Sequence, residues 1–313
     1  MGPPTWAGSA RPSQDGRRRS RRAWLTGVLI AALPALVLLL LIEDRSTLLP
    51  RGLALGAPGR PAAPAADNDR GPSSGLLFSG DFETGDLSQW ESAQSANPGR
   101  IAVVTGPRVQ GRYAGRFEVR SGDVAAAGTG SGNRAEVLAR RQDGNGAWPD
   151  SEGSERYYGW STYFPSNYPV VRGWQTFVQW KNKGPGSSPL AMGVYNGRIR
   201  LQAKTRGGPA TKLSKEPLVR GRWQRFVLHV KWSPDPRVGF VELWHNGRKV
   251  VRRRYRPTMY RERDGRVLPN YLKQGLYRSS GILRPQIVYH DGMRVGLSFG
   301  DVAPEARAPR ARR

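Results

Sequence analysis

From Leu76 to about residue 300, apolar and polar residues alternate in short runs broken by Gly, Pro, Asn and Asp. A period of two marks strands with one buried face. The runs 101–105, 113–120, 134–140, 157–163, 174–181, 190–195 and 199–204 predict strands. Further strands are predicted at 223–232, 240–245, 248–252, 271–277, 286–289 and 293–299. Asn246-Gly247 supplies a type I′ turn between two of them. Strands at this density predict an all-β domain, a sandwich of two antiparallel sheets of the β-jelly-roll type. No stretch of this region reads as a long amphipathic helix. No segment repeats at a fixed period, which argues against a solenoid or propeller.

The first 75 residues break the pattern. Arg17, Arg18, Arg19, Arg21 and Arg22 precede Trp24–Ile42, a run without charge that Glu43, Asp44 and Arg45 close. Such a run is long enough for one transmembrane or signal helix, with the arginines on the inner side. Ser20-Arg21-Arg22-Ala23-Trp24-Leu25 resembles a twin-arginine export signal. Ala63-Pro64-Ala65 offers a small-x-small site downstream, so a cleaved signal and a retained anchor both stay open. The expected organisation is a basic region 1–22, a transmembrane or signal segment 23–42, a Pro/Ala/Gly-rich linker 43–75, a β-domain 76–300 and a basic tail 301–313. This places the domain outside the cell or on its surface.

Charge adds a partner class. The net charge of +26 is not a property of the tails, because residues 76–300 hold 36 Lys and Arg against 17 Asp and Glu, or +19. A field of that sign attracts polyanions: acidic polysaccharide, nucleic acid or anionic lipid. Nucleic acid is disfavoured by the export signal and by the lack of a recognition motif. The 313 residues include no cysteine, which rules out disulfides, a thiol nucleophile and cysteine-bound metal. No cofactor is expected, structural calcium is left open, and the domain is expected to be a monomer.

Three strands gather polar groups. Tyr271-Leu-Lys-Gln-Gly-Leu-Tyr277 sends Tyr271, Lys273 and Tyr277 to one face around Gly275, where the missing side chain would let a ligand approach the backbone. Strict alternation in 174–181 puts Gln175, Phe177, Gln179 and Lys181 on one face and Trp174, Thr176, Val178 and Trp180 in the core. In 134–140 it puts Arg134 and Glu136 together. Phenol, ammonium, guanidinium and amide on one concave sheet suit removal of a proton next to a carboxylate. A glycoside hydrolase would instead need two carboxylates close together on a strand, and no such pair is evident.

Arg134-Ala-Glu136, Gln179-Trp-Lys181 and Tyr271-Leu-Lys273-Gln-Gly275-Leu-Tyr277-Arg278 resemble, in this order, the three cleft motifs of jelly-roll polysaccharide lyases. These are the heparin lyase I family and the related glucuronan and alginate lyases. Gly80–Trp90 and the stretch from Val288 to Gly296 are similar to the two ends of such domains. The resemblance implies β-elimination at a uronic acid. Gln179 and Arg134 would hold the carboxylate, Lys273 would add charge, and Tyr277 would be the acid and also the base. Gln175, Lys181, Glu136, Tyr271 and Arg278 would bind substrate. Many family members carry histidine where Lys181 stands, and Leu138 replaces an arginine common in alginate lyases. His229, His245 and His290 occupy none of the motif positions and are expected to be structural or surface-exposed. The alternative is a non-catalytic glycan-binding module of the same fold.

Overall fold

The computed structural model describes residues 75–124, 132–139 and 150–303. The segments expected at 1–22 and 23–42, all but the last residue of the linker, and most of the basic tail lie outside them. Among the described residues no helix is long and apolar enough to cross a membrane.

In chain order the strands are β1 (Leu76–Gly80), β2 (Ser92–Ser95), β3 (Ile101–Val104), β4 (Ala114–Val119), β5 (Asn133–Ala139), β6 (Glu155–Phe164), β7 (Trp174–Asn182) and β8 (Leu190–Tyr195). They continue with β9 (Arg198–Lys204), β10 (Ala210–Lys212), β11 (Glu216–Pro217), β12 (Arg222–Lys231), β13 (Phe240–His245), β14 (Arg248–Tyr255), β15 (Asn270–Arg278) and β16 (Gln286–Gly296), before the short helix α1 (Phe299–Val302). All pairings are antiparallel. One sheet runs β14-β13-β12-β6-β16-β4-β3 with β1 on β16, and the other runs β10-β9-β8-β7-β15-β5-β2 with β11 on β9. This is the expected sandwich. The sequence reading did not include the short strands β1, β2, β10 and β11, and two predicted strands differ: 286–296 is one strand with irregular pairing after Asp291, and Phe299 begins α1 behind a Ser298/Asp301 capping box.

The inner faces bury Phe117, Trp160, Phe226, Leu228 and Val288 from the first sheet against Val137, Phe177, Trp180, Leu201 and Leu276 from the second. Each such side chain contributes about 1.5–3 kcal/mol by leaving water. A polar tie crosses the core. His290 Nε2 donates to the Gly275 carbonyl at 3.0 Å, which leaves Nδ1 to accept from Thr162 Oγ1, also at 3.0 Å. Burial pushes this imidazole down to about 3, against the opposing effect of the Gly275 bond, so it stays neutral.

Asp150 anchors the start of β15 by exchanging backbone hydrogen bonds with Asn270 at 3.0 and 2.9 Å. Its carboxyl accepts from Tyr158 Oη and lies 3.6 Å from Arg156 Nε. Full burial outweighs both and raises it to about 7. The fold therefore favours the neutral acid: this stabilisation is complete below the unfolded carboxylate range and is lost as pH rises toward 7. Asp150→Asn should remove the dependence. The stability difference between parent and variant, read from urea unfolding, should fall by about 1.4 kcal/mol per pH unit between about pH 4 and pH 7. A pH-independent difference would contradict the assignment.

Candidate active site

The second sheet carries a cleft of about 800 Å³ on its outer face. Its lining includes Arg134 from β5, Gln179 and Lys181 from β7, and Tyr271, Lys273 and Tyr277 from β15. Register brings them together, because antiparallel partners point to the same side of a sheet. Tyr277 is paired with Arg134 on one side and Thr176 on the other, Lys273 with Leu138 and Gln179, and Tyr271 with Lys181.

Glu136 organises the floor. It is 2% exposed and its Oε2 accepts from Lys273 Nζ at 2.6 Å, while its Oε1 accepts from Gln179 Nε2 at 2.5 Å. Ser188 Oγ donates to the Gln179 carbonyl oxygen and fixes that amide. On the other side Gln94 Oε1, from β2, accepts from Lys273 Nζ at 2.7 Å and from Arg134 Nη1 at 3.2 Å. Glu136 is thus a structural counter-charge rather than a group offered to a ligand. Arg134 Nη1 also lies 3.6 Å from Glu136 Oε2, so one carboxylate is shared by two cations, and the Arg134 guanidinium lies 3.9 Å from the centre of the Tyr277 ring. Trp174 meets the same ring edge-on at 4.6 Å, so the phenol is held by an aromatic wall and a stacked cation.

Lys181 also lines the cleft, yet its ammonium turns back into the chain. Nζ donates to Asn182 O at 2.8 Å, Asn182 Oδ1 at 2.7 Å and Gly184 O at 2.5 Å, which uses all three of its N–H groups. Burial, then repulsion from Lys273, lowers it to about 8. Its geometry is that of a brace for the 182–184 rim.

Two expected site residues face the other way. Pairing slips beside Phe177: Thr176 is opposite Tyr277 and Gly193, but Val178 is opposite Gln274 and Met192. The slip places Phe177 and Val178 consecutively in the core and reverses the parity of the preceding residues. Trp174 and Thr176 therefore face the cleft, and Gln175 is fully buried. Gln175 Oε1 accepts from Tyr168 Oη at 2.7 Å and from Gln286 Nε2 at 2.6 Å. Arg278, next to Tyr277 and so on the opposite side of β15, is also fully buried and donates to Gln286 Oε1 at 3.0 Å. Both belong to a polar tie inside the sandwich.

The role expected of Gly275 also changes. At φ +144° an added Cβ would sit 2.2 Å from the Ala135 carbonyl oxygen, so this glycine permits the close approach of β5 rather than of a ligand. Trp174 and Thr176, expected in the core, also line the cleft, as do Gln94, Ser188 and Tyr195 without having been singled out in the sequence. Only Gln94 left a trace there, as a polar side chain in a short Ser-Ala-Gln-Ser run. The carboxylates of the Gly80–Trp90 stretch serve the local chain: Asp81 accepts from Gln89 and Ser79, and Glu83 from the backbone of Arg112 and Tyr113. Among the described residues no group of three or more His, Asp or Glu side chains could hold a metal ion.

With these positions known, the profile of the polysaccharide lyase family matches residues 82–294, the whole span of the site. The chain belongs to the polysaccharide lyase family. Solved structures agree on the fold of this lyase. It is similar to an endo-β-1,4-glucuronan lyase from the fungus Trichoderma reesei, with 20% identity and a TM-score of 0.57 over 74% of this chain and 99% of that one. The catalytic domain of a glycoside hydrolase family 131 protein from Coprinopsis cinerea matches with 12% identity and a TM-score of 0.51 over 73% and 97%. An alginate lyase from Chlorella virus gives 13% identity and a TM-score of 0.48 over 71% and 99%. No curated protein matches the sequence. The shared sandwich with a hydrolase shows that the scaffold does not choose the chemistry; the side chains in the cleft do.

Proposed function

We propose that the lyase cleaves a uronic-acid polymer by β-elimination, with Tyr277 as acid and base, in the manner of the heparin lyase I-like, glucuronan and alginate lyases. The observation that carries the reading is the convergence of Tyr277, Arg134, Gln179 and Lys273 on one cleft from neighbouring strands. The C5 proton of a uronate becomes removable only when negative charge spreading into its carboxyl group is stabilised. Arg134 and the Gln179 amide would hold that carboxyl group, and Lys273 would add positive charge nearby. The Tyr277 oxygen, as the phenolate, would take the C5 proton and pass it to the leaving oxygen on the same side of the ring as the C4–O bond breaks and a C4=C5 double bond forms, a syn course. Arg134 against the phenol ring would stabilise negative charge on that oxygen during the transfer.

A hydrolytic course finds less support. Among the described residues the only carboxylate at the cleft floor is Glu136, committed to Lys273 and Gln179, whereas glycosidases generally need two. An acidic polymer as substrate also fits the basic domain and an extracellular or cell-surface location. A panel of glucuronan, alginate and sulfated uronate polymers, with ultraviolet absorbance of the unsaturated product as readout, tests this. Binding without product on every polymer would favour the glycan-binding module.

Lys181 would act on positioning and not on proton transfer. Lys181→Met should therefore raise KM about tenfold by releasing the rim while kcat stays within about threefold. A loss confined to kcat would instead make Lys181 a participant in the chemistry.

A further inference from the structure

The proposed chemistry leaves the most cationic stretch of the domain unused. Residues 248–256, Arg-Lys-Val-Val-Arg-Arg-Arg-Tyr-Arg, hold six cations and no acid. All but Arg256 form β14, the outermost strand of the sheet that does not bear the cleft. Arg248, Lys249, Arg252, Arg253, Arg254 and Tyr255 are all exposed. At about 3.3 Å per residue the strand presents this charge along roughly 23 Å.

Neighbouring acids neutralise only part of it. Glu216 takes Arg248 at 3.2 Å, and Glu242 is shared by Lys249 at 2.8 Å, Arg253 at 3.2 Å and the imidazole of His229 at 2.7 Å. Arg252 and Arg254 have no acidic partner among the described residues, and the charge of Arg254 bears on Arg256 nearby. One or two cations are enough to keep an edge strand from pairing with another chain. Five exposed cations on one eight-residue edge strand go beyond that need.

We propose that β14 is a second, non-catalytic binding strip for an extended acidic polysaccharide, separate from the cleft. The identity of the polymer rests on the proposed function; the strip itself rests on geometry. Guanidinium groups match carboxylate and sulfate groups in paired hydrogen bonds, and several of them spaced along one exposed edge strand fit a linear polyanion. Two other polyanions fit less well. Single-stranded nucleic acid binds by stacking bases on open aromatic faces, but here Lys249 covers Trp244 at 4.3 Å and Arg253 covers Phe240 at 4.0 Å. A membrane surface rewards apolar side chains that insert beside the cations, and Tyr255 is the only exposed aromatic residue of the strand.

The test uses the full chain carrying Tyr277→Phe, so that polymer is not consumed. Electrophoresis through gels containing polyglucuronate, with excess glucuronate tetrasaccharide to fill the cleft, should still show retardation. Adding Arg248→Ser, Arg252→Ser and Arg254→Ser should weaken that retardation at least fivefold, whereas the same three positions as Lys should retain most of it. In the parent chain the three Ser changes should leave turnover of the tetrasaccharide unchanged. An unchanged melting temperature shows that the edge strand still folds. Equal retardation of the Ser variant overturns the proposal. So does a loss confined to binding of phosphatidylglycerol vesicles or single-stranded DNA, which would assign the strip to another polyanion. Retardation through the strip in a protein that forms no unsaturated product from any uronate polymer would sink the lyase reading and leave the strip standing.

Discussion

Tyr277→Phe is expected to lower kcat on the preferred uronate polymer by about 10³-fold or more, because one hydroxyl would carry both proton transfers. The change removes a single oxygen. The ring stays between Trp174 at 4.6 Å and the Arg134 guanidinium at 3.9 Å, so the fold and the carboxyl-binding groups should be preserved and KM should move little. That split between kcat and KM separates loss of a proton-transfer group from loss of binding. Formation of the unsaturated product is followed by absorbance, and folding by the melting temperature. A variant that keeps more than about a tenth of the parental kcat would remove Tyr277 from the chemistry and leave the cleft in need of another acid.

The largest effect on stability is expected from Glu136→Ala. Its carboxylate lies beneath the cleft with Lys273 at 2.6 Å and Gln179 at 2.5 Å, and Lys273 is itself only 3% exposed. Removing this buried carboxylate takes a counter-charge from Lys273 and a hydrogen-bond partner from Gln179, which costs about 3–5 kcal/mol. Urea unfolding should show a lower midpoint with an unchanged slope, the mark of lost stability without a change in surface exposed. Combining Glu136→Leu with Lys273→Met should recover much of the loss, since an apolar pair leaves no buried charge unpaired. A loss below about 1 kcal/mol for Glu136→Ala would mean that water replaces the carboxylate and that the floor is open to solvent.

Local rules carried far where a strand is regular. β15 alternates without interruption against β5, so the common face of Tyr271, Lys273 and Tyr277 follows from a period of two. Asn246-Gly247 likewise adopts the positive φ values, 51° and 80°, that its turn type demands. The same rule failed in β7, where the slip beside Phe177 exchanged Gln175 for Thr176 at the cleft. A slip of register is a property of two neighbouring strands and leaves no mark in the periodicity of one. Gly275 shows a related limit: a glycine in a strand announces close approach, but only the partner strand reveals that the approaching atom is the Ala135 carbonyl.

Short-range patterning alone determined the all-β class, the turns, the basic domain and the three motifs that carry the likeness to polysaccharide lyases, because each depends on residues a few positions apart. Tertiary structure alone decided that Glu136 neutralises and Gln94 orients the cations, that Lys181 braces a rim, that Gln175 and Arg278 tie the core, and that the cation-rich stretch 248–255 lies on an edge of the other sheet. Those outcomes depend on which distant strands become neighbours, and hydrogen bonds between residues such as Gln94 and Lys273 come into being only when the sheet closes.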